Sequence, residues 1–170
     1  MANKYLLRPA QQGLKEGFAF EDEEGNVVYE GKMLKFSLFG ASPFEFNNHK
    51  TGKVEEHKLG KVVESQVGGN DWISALSLKS SFKYDGKNIW DYLHDEGIRI
   101  DSTLSSNKIG MSYKVTYKGK DFATIASTTP KGKSIITSNM FFDVTCNEED
   151  LDLAFLVSFA IARTNQIMYN

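Results

Sequence analysis

Along much of the chain, apolar and polar residues alternate one for one, the period of a strand with one dry and one wet face. Phe18-Ala19-Phe20 leads through Asp22-Glu23-Glu24-Gly25-Asn26 into Val27-Val28-Tyr29, and Phe44-Glu45-Phe46 leads through Lys50-Thr51-Gly52-Lys53 into Val54 and on to Leu59. Phe82-Lys83-Tyr84 turns at Asp85-Gly86 and resumes at Asn88-Ile89-Trp90. Tyr113 to Tyr117 turns at Lys118-Gly119-Lys120 and resumes at Phe122 to Ile125. Each connection carries a glycine able to take the positive φ that tight hairpin turns need. Four hairpins with short links predict an antiparallel meander, not βαβ units. In the second hairpin a two-residue turn at Thr51-Gly52 would pair His49 with Val54 and Phe46 with His57.

The pattern changes after Cys146. Asn147 reads as a helix N-cap, and Glu148-Glu149-Asp150 suit the positive end of a helix dipole. Leu151 to Ala162 follows, interrupted by Asp152 and Ser158 and apolar on every helical face from Leu153 onward. Such a helix is either buried or a membrane span, and a span needs about 20 apolar residues. Twelve helical residues cover ~18 Å, and a strand of five to six residues ~17–20 Å. The match suggests a helix threaded along the axis of a closed or nearly closed sheet. A helix packed on one sheet face would keep a polar stripe, which this segment lacks. Leu153, Phe155, Leu156, Val157, Phe159 and Ile161 are therefore expected to be almost wholly buried and touched by several strands.

The order of these pieces resembles the LURP-one-related group of the tubby C-terminal-like superfamily, which includes the phospholipid scramblases. The residues that carry the resemblance are Gly17-Phe18-Ala19-Phe20-Glu21-Asp22 with Gly25-Asn26-Val27-Val28-Tyr29-Glu30, then Gly31-Lys32-Met33 with Leu34-Lys35-Phe36-Ser37-Leu38. Pro43-Phe44-Glu45-Phe46 with Gly52-Lys53-Val54, Lys118-Gly119-Lys120 with Ala123-Thr124-Ile125, and Phe142-Asp143-Val144 before the acidic cap and helix complete it. The resemblance implies a mainly β fold, a closed antiparallel barrel of about twelve strands around a central hydrophobic helix. Two stretches depart from the pattern: Val67 to Leu78, with Gly68-Gly69-Asn70, and the polar connection Ser102 to Asn107.

A length of 170 residues fits one domain spanning 1–170, and no proline- or serine-rich linker divides it. Charge is balanced at −2, which points neither to nucleic acid nor to a strongly acidic partner. One cysteine allows no intrachain disulfide. Residues 1–10 lack the ~7–15-residue apolar core of a signal peptide, so the expected location is the cytoplasm.

Candidate chemistry is sparse. His49, His57 and His94 have no cysteine at metal-ligand spacing and read as solvated surface residues; neither a metal nor a cofactor is expected. Cys146 sits where a helix N-terminus would lower a thiol pKa, but three acids oppose that and no histidine is near in sequence to act as base. Glu21 to Glu24 crowd a hairpin tip, too solvated to raise a carboxyl for acid–base work. Gly68-Gly69 opens no evident helix and matches no phosphate-loop fingerprint.

One charge asymmetry stands out. Between Asn107 and Lys133 lie Lys108, Lys114, Lys118, Lys120, Lys131 and Lys133 against the single acid Asp121, a local net charge of +5. Strand alternation would put Lys114 and Lys118 on one face, opposite Val115 and Tyr117. Such a strip suits anionic lipid headgroups, each lysine contributing about 1 kcal/mol near such a surface, and tubby domains bind phosphoinositide headgroups. The bland reading is lysines on the wet face of a sheet. The expected function is therefore a non-enzymatic binding domain, engaging an anionic lipid surface at the membrane periphery or a partner protein. A hollow carrier barrel and an enzyme with an unrecognised carboxylate site are the alternatives.

Overall fold

The computed structural model of the chain describes residues 2–64, 80–104, 111–129 and 141–169. The alternating segments form strands β1 (Ala2–Pro9), β2 (Gly17–Glu21), β3 (Val27–Met33), β4 (Ser42–Asn48) and β5 (Val54–Leu59). Short strands β6 (Val63–Glu64), β7 (Ser80–Ser81), β8 (Lys83–Tyr84) and β9 (Lys87–Asn88) follow, then helix α1 (Ile89–Asp95). The second half holds β10 (Ile98–Leu104), β11 (Met111–Tyr117), β12 (Lys120–Ser127) and β13 (Phe142–Asn147). A 3₁₀ turn, Glu148–Asp150, leads into helix α2 (Leu151–Tyr169).

Eleven of the strands make one antiparallel sheet in the order β10-β11-β12-β13-β1-β2-β3-β4-β5-β8-β9, and β6 pairs with β7 apart from it. The meander is sequential except where β8 follows β5 and at β1, which lies between β2 and β13 and joins the two halves of the chain. Two hairpins turn on two residues at positive φ, Asp85 (49°) with Gly86 (85°) and Lys118 (50°) with Gly119 (83°). Positive φ at both central positions is the mirror-image turn whose twist matches the flanking strands.

Three sequence expectations are corrected here. In the second hairpin Phe46 pairs with Glu55 and Phe44 with His57, while Val54 faces Asn47. The turn is wider than two residues because Asn48 organises it. Its carbonyl accepts the Gly52 N–H at 2.8 Å, and its side-chain Oδ1 accepts the N–H groups of Lys50 at 2.9 Å and Thr51 at 3.2 Å. In the third hairpin the return strand stops at Asn88, and Ile89-Trp90 begin α1. Asn88 Oδ1 accepts the Trp90 N–H at 2.9 Å as an N-cap, and Ile89, Trp90 and Leu93 form one buried face. At the C-terminus, Asn147 makes no side-chain cap hydrogen bond; the chain passes from β13 through the 3₁₀ turn instead. Of the two departures from the family pattern, Val67 to Leu78 lies outside the described residues. Ser102 to Leu104 belong to β10, paired with Tyr113 to Met111, and residues 105–107 lie outside the described set.

Helix α2 packs on the sheet. It is longer than the expected twelve residues, and its side chains from Ala154 to Thr164 are all buried, three full turns with no exposed stripe. Phe155, Leu156, Val157, Phe159 and Ile161 are at most 8% exposed; Leu153, at the helix start, is only partly buried. Phe155 meets Phe20 of β2 at 5.0 Å, Tyr29 of β3 at 4.3 Å and Phe46 of β4 at 6.1 Å between ring centroids. Phe159 meets Phe18 at 5.6 Å, Phe44 at 5.9 Å and Phe82 at 6.1 Å. Helix α2 also touches β7, β12 and β13. Fully burying one such ring contributes roughly 1.5–3 kcal/mol. The approach is closest at Gly31 in β3, where a Cβ would stand 3.0 Å from both Phe155 and Phe46. The two buried hydroxyls are satisfied within the helix, Ser158 Oγ donating to the Ala154 carbonyl and Thr164 Oγ1 to that of Ala160.

Candidate functional site

Three connections converge at the end of the sheet near the C-terminal half of α2. The first is the Gly13–Glu16 turn between β1 and β2, closed by paired backbone hydrogen bonds between Gln12 and Lys15. The second is the loop from Leu34 to Ala41 between β3 and β4. It is held by Leu34 N–H on the Pro43 carbonyl, by Ser37 N–H on Ser42 Oγ at 3.2 Å, and by Ser37 Oγ donating to the Phe39 carbonyl at 2.7 Å. The third is Gly60–Val62 after β5, from which Lys61 Nζ donates to the Leu38 carbonyl at 2.5 Å.

These connections carry an unusual surface. Seven large apolar residues are exposed among the described residues, and six of them sit here or at the adjoining strand end: Leu14, Leu34, Phe36, Leu38, Phe39 and Val63. Phe39 is 87% and Leu14 70% exposed. A contiguous exposed apolar patch rimmed by charge marks an interaction site. The three connections themselves carry Lys15, Lys35 and Lys61 and one acid, Glu16.

That acid is committed inward. Glu16, Met33, Phe36, Leu59, Val62 and Arg163 are among the residues lining a cavity of about 370 Å³ between the three connections. Arg163 of α2 is 2% exposed. Its Nη1 donates to the Gly60 carbonyl at 2.8 Å and its Nη2 to Glu16 Oε2 at 3.1 Å, while Nε has no partner among the described residues. The guanidinium lies over the rings of Phe82 at 4.5 Å and Phe44 at 5.2 Å. Burial pulls its pKa below the ordinary arginine value, and Glu16 works against that pull. Sequence reading stopped the apolar run at Ala162 and passed over Arg163. The available signal was its place one turn beyond Phe159, still in register with the buried face.

Of the basic strip read from sequence, Lys114, Lys118 and Lys120 are described, all on the β11–β12 hairpin. Lys114 stands exposed in β11 with Nζ 3.4 Å from Asp121, and Asp101 of β10 pairs across from it. Lys118 is not on Lys114's strand face: β11 ends at Tyr117, Lys118 is in the turn, and a bulge shifts the register at Val115/Thr116. Lys118 Nζ lies over the Tyr117 ring at 5.1 Å. Lys120 opens β12, and Lys108, Lys131 and Lys133 lie outside the described residues.

Each histidine has a carboxylate within reach, which sequence spacing did not reveal. His49 Nε2 is 3.3 Å from Glu30, and His94 Nδ1 is 3.9 Å from Asp95. His57 is the best held, with Nδ1 2.6 Å from Asp85, Nε2 3.3 Å from Glu55 and its ring stacked on Tyr84 at 4.7 Å. It lines a second cavity of about 200 Å³ with Tyr29, Phe46, Glu55, Tyr84 and Asp152. Burial there raises the Tyr84 and Tyr29 hydroxyls above their ordinary pKa. Burial also pushes the Glu55 carboxyl up, but hydrogen bonds from His57 and Lys53 outweigh it and leave the carboxyl below its usual value. Cys146 is 2% exposed, and burial, then Asp150 and Glu149, push its thiol up to about 12.

Among the described residues no group of three His, Cys, Asp or Glu side chains is placed to hold a metal ion, and no helix is long and apolar enough to cross a membrane. The chain matches no protein-family model, no curated protein and no solved structure.

Proposed function

We propose that the chain is a non-enzymatic domain of the tubby C-terminal-like kind, its sheet closed around α2, that docks peripherally on an anionic lipid surface through the Leu14, Leu34–Phe39 and Lys61–Val63 mouth. Two features support closure. Helix α1 connects β9 directly to β10, the two edge strands of the sheet, and packs against both. Helix α2 is covered on every face from Ala154 to Thr164. A hollow carrier would need the interior space that these side chains occupy.

The observation that supports the docking reading is the coincidence of six exposed apolar residues, on three connections and the adjoining strand end, with Lys15, Lys35 and Lys61 on the same connections. Apolar tips enter the acyl boundary while the lysines meet headgroups, each worth about 1 kcal/mol at an anionic surface. The strip around Lys114 fits this role less well, because Asp121 and Asp101 sit beside it.

Sedimentation with neutral and anionic vesicles tests the proposal. The wild-type protein binds anionic vesicles and releases as salt is raised, since screening confines such attraction to about 8 Å at physiological ionic strength. Leu38→Asp/Phe39→Asp abolishes that binding, and Lys35→Glu/Lys61→Glu weakens it steeply. Lys114→Glu/Lys118→Glu/Lys120→Glu has a small effect; if it abolishes binding while the Leu38/Phe39 variant does not, the lipid face is the β11–β12 strip. Wild-type protein that ignores anionic vesicles at low salt overturns lipid docking and leaves the apolar mouth as a protein interface.

A further inference from the structure

Arg163 is an odd residue to find where it is. The ten residues before it in α2 include only one polar side chain, Ser158, and everything from Ala154 to Thr164 is buried. A buried guanidinium has five N–H donors in a fixed fork. Here one donor reaches a carbonyl, one reaches Glu16 through a single 3.1 Å bond, and Nε has no partner among the described residues. Arginine–carboxylate pairs are frequently bidentate; this one leaves the Nε edge unserved. Glu16 is itself a quarter exposed, and it lines the same cavity as Arg163. The cavity at about 370 Å³ falls within the ~300–1,000 Å³ of small-molecule sites, which combine apolar walls with a few polar groups. Met33, Phe36, Leu59 and Val62 supply the walls.

We propose that this cavity binds a single-chain amphiphile with an oxyanion head, a fatty-acid carboxylate or a monoalkyl phosphate. The head accepts hydrogen bonds from Arg163, including Nε, in competition with Glu16. The first methylenes lie along Met33, Leu59 and Val62, and the rest of the chain leaves past Phe36 and Phe39. The inference deepens the docking proposal by naming a ligand for the same mouth, with the tail exiting toward the surface that the apolar tips would enter.

Calorimetric titration in vesicle-free solution, below the micelle threshold, separates the two ideas. Decanoate and decyl phosphate bind saturably at one site, and decanol binds weaker by roughly tenfold or more, the loss expected when a charge-assisted hydrogen bond is missing. Inorganic phosphate alone shows no saturable binding in the same range. Glu16→Gln tightens both acids several-fold, because it removes the competing carboxylate; a purely structural pair would instead leave binding unchanged or unfold. Glu16→Gln/Arg163→Met, which replaces the buried pair with neutral groups of similar volume, loses the preference for acid over alcohol. Should that double variant not fold, the wild-type preference and the Glu16→Gln tightening decide alone. Equal binding of decanoate and decanol, or inorganic phosphate binding as well as decyl phosphate, overturns the proposal. Leu38→Asp/Phe39→Asp keeps decanoate binding within a few-fold while losing vesicles, so failure of docking and failure of the ligand site are read separately.

Discussion

Helix α2 packed on one side of an open sheet and helix α2 enclosed by a sheet differ in a measurable way: only the first has a face that tolerates enlargement. Ala154, Ala160 and Ala162 are each 0% exposed. At about 100° per residue they stand on three different faces of the helix. Replacing each singly with leucine keeps helix propensity close to that of alanine, so any loss reports crowding. Forcing extra methylenes into a packed core costs typically 1–3 kcal/mol. For a chain of 170 residues that is a fall in Tm of about 2–12 °C, at ~2–4 °C per kcal/mol. Urea unfolding followed by circular dichroism gives the same quantity as a shift in midpoint at constant slope. All three variants should be destabilised. If any one of them stays within about 0.5 kcal/mol of wild type, that face has room to spare and the enclosed helix is refuted.

Other expectations concern single groups. With its thiol pushed up to about 12 by burial and the nearby acids, Cys146 should resist alkylation at pH 8 in the native protein and react at once in urea, as followed by mass spectrometry. Asn88→Ala should cost about 1 kcal/mol as a lost helix cap, whereas Asn147→Ala, with no cap hydrogen bond to lose, should leave the unfolding midpoint nearly unchanged. The Glu55 carboxyl is held below its usual pKa, so what it contributes to stability is present above the unfolded value and lost as pH falls through the lower folded one. NMR titration of the His57→Asn variant should show its midpoint move upward, and a midpoint that stays put would remove His57 from the cause.

The hairpins were legible because each rests on two local facts, alternation and a turn residue with suitable φ. The Lys118-Gly119 turn needed nothing more. Register in the second hairpin was not, since it depended on what the side chain of Asn48 would bond to. Ile89-Trp90 read as a strand for a related reason: two apolar residues beside a turn fit either period, and the Asn88 cap with Leu93 decided for helix. The buried character of α2 could be read from composition alone. Its buried arginine could not, because Arg163 follows the apolar run as an ordinary polar helix end would. Only tertiary packing places it among Phe44, Phe82 and Glu16. The lysine strip was legible only in part: alternation put Lys114 on the exposed face of β11, but Lys118 falls in the turn, where strand alternation no longer sets its direction.

The position of β1 between β2 and β13 has a consequence for how the chain is made. Ala2 pairs with Asn147 and Leu7 with Phe142, so one side of the first strand waits for partners encoded near the other end. At synthesis rates of ~5–20 residues per second that wait lasts roughly 7–30 s, during which Tyr5 and Leu7 lie on an unpaired edge. Unpaired edges template association, and natural strands blunt them with lysine, arginine and proline. β1 carries Lys4, Arg8 and Pro9, charges and a missing donor placed on the one strand whose partner arrives last. Because the pairing is so distant in sequence, the closing step should also be slow. Lys4 makes no strand-to-strand ion pair among the described residues of the kind Arg8 makes with Glu21. Replacing it by a neutral apolar residue should therefore show first as aggregation during synthesis rather than as lost stability of the finished fold.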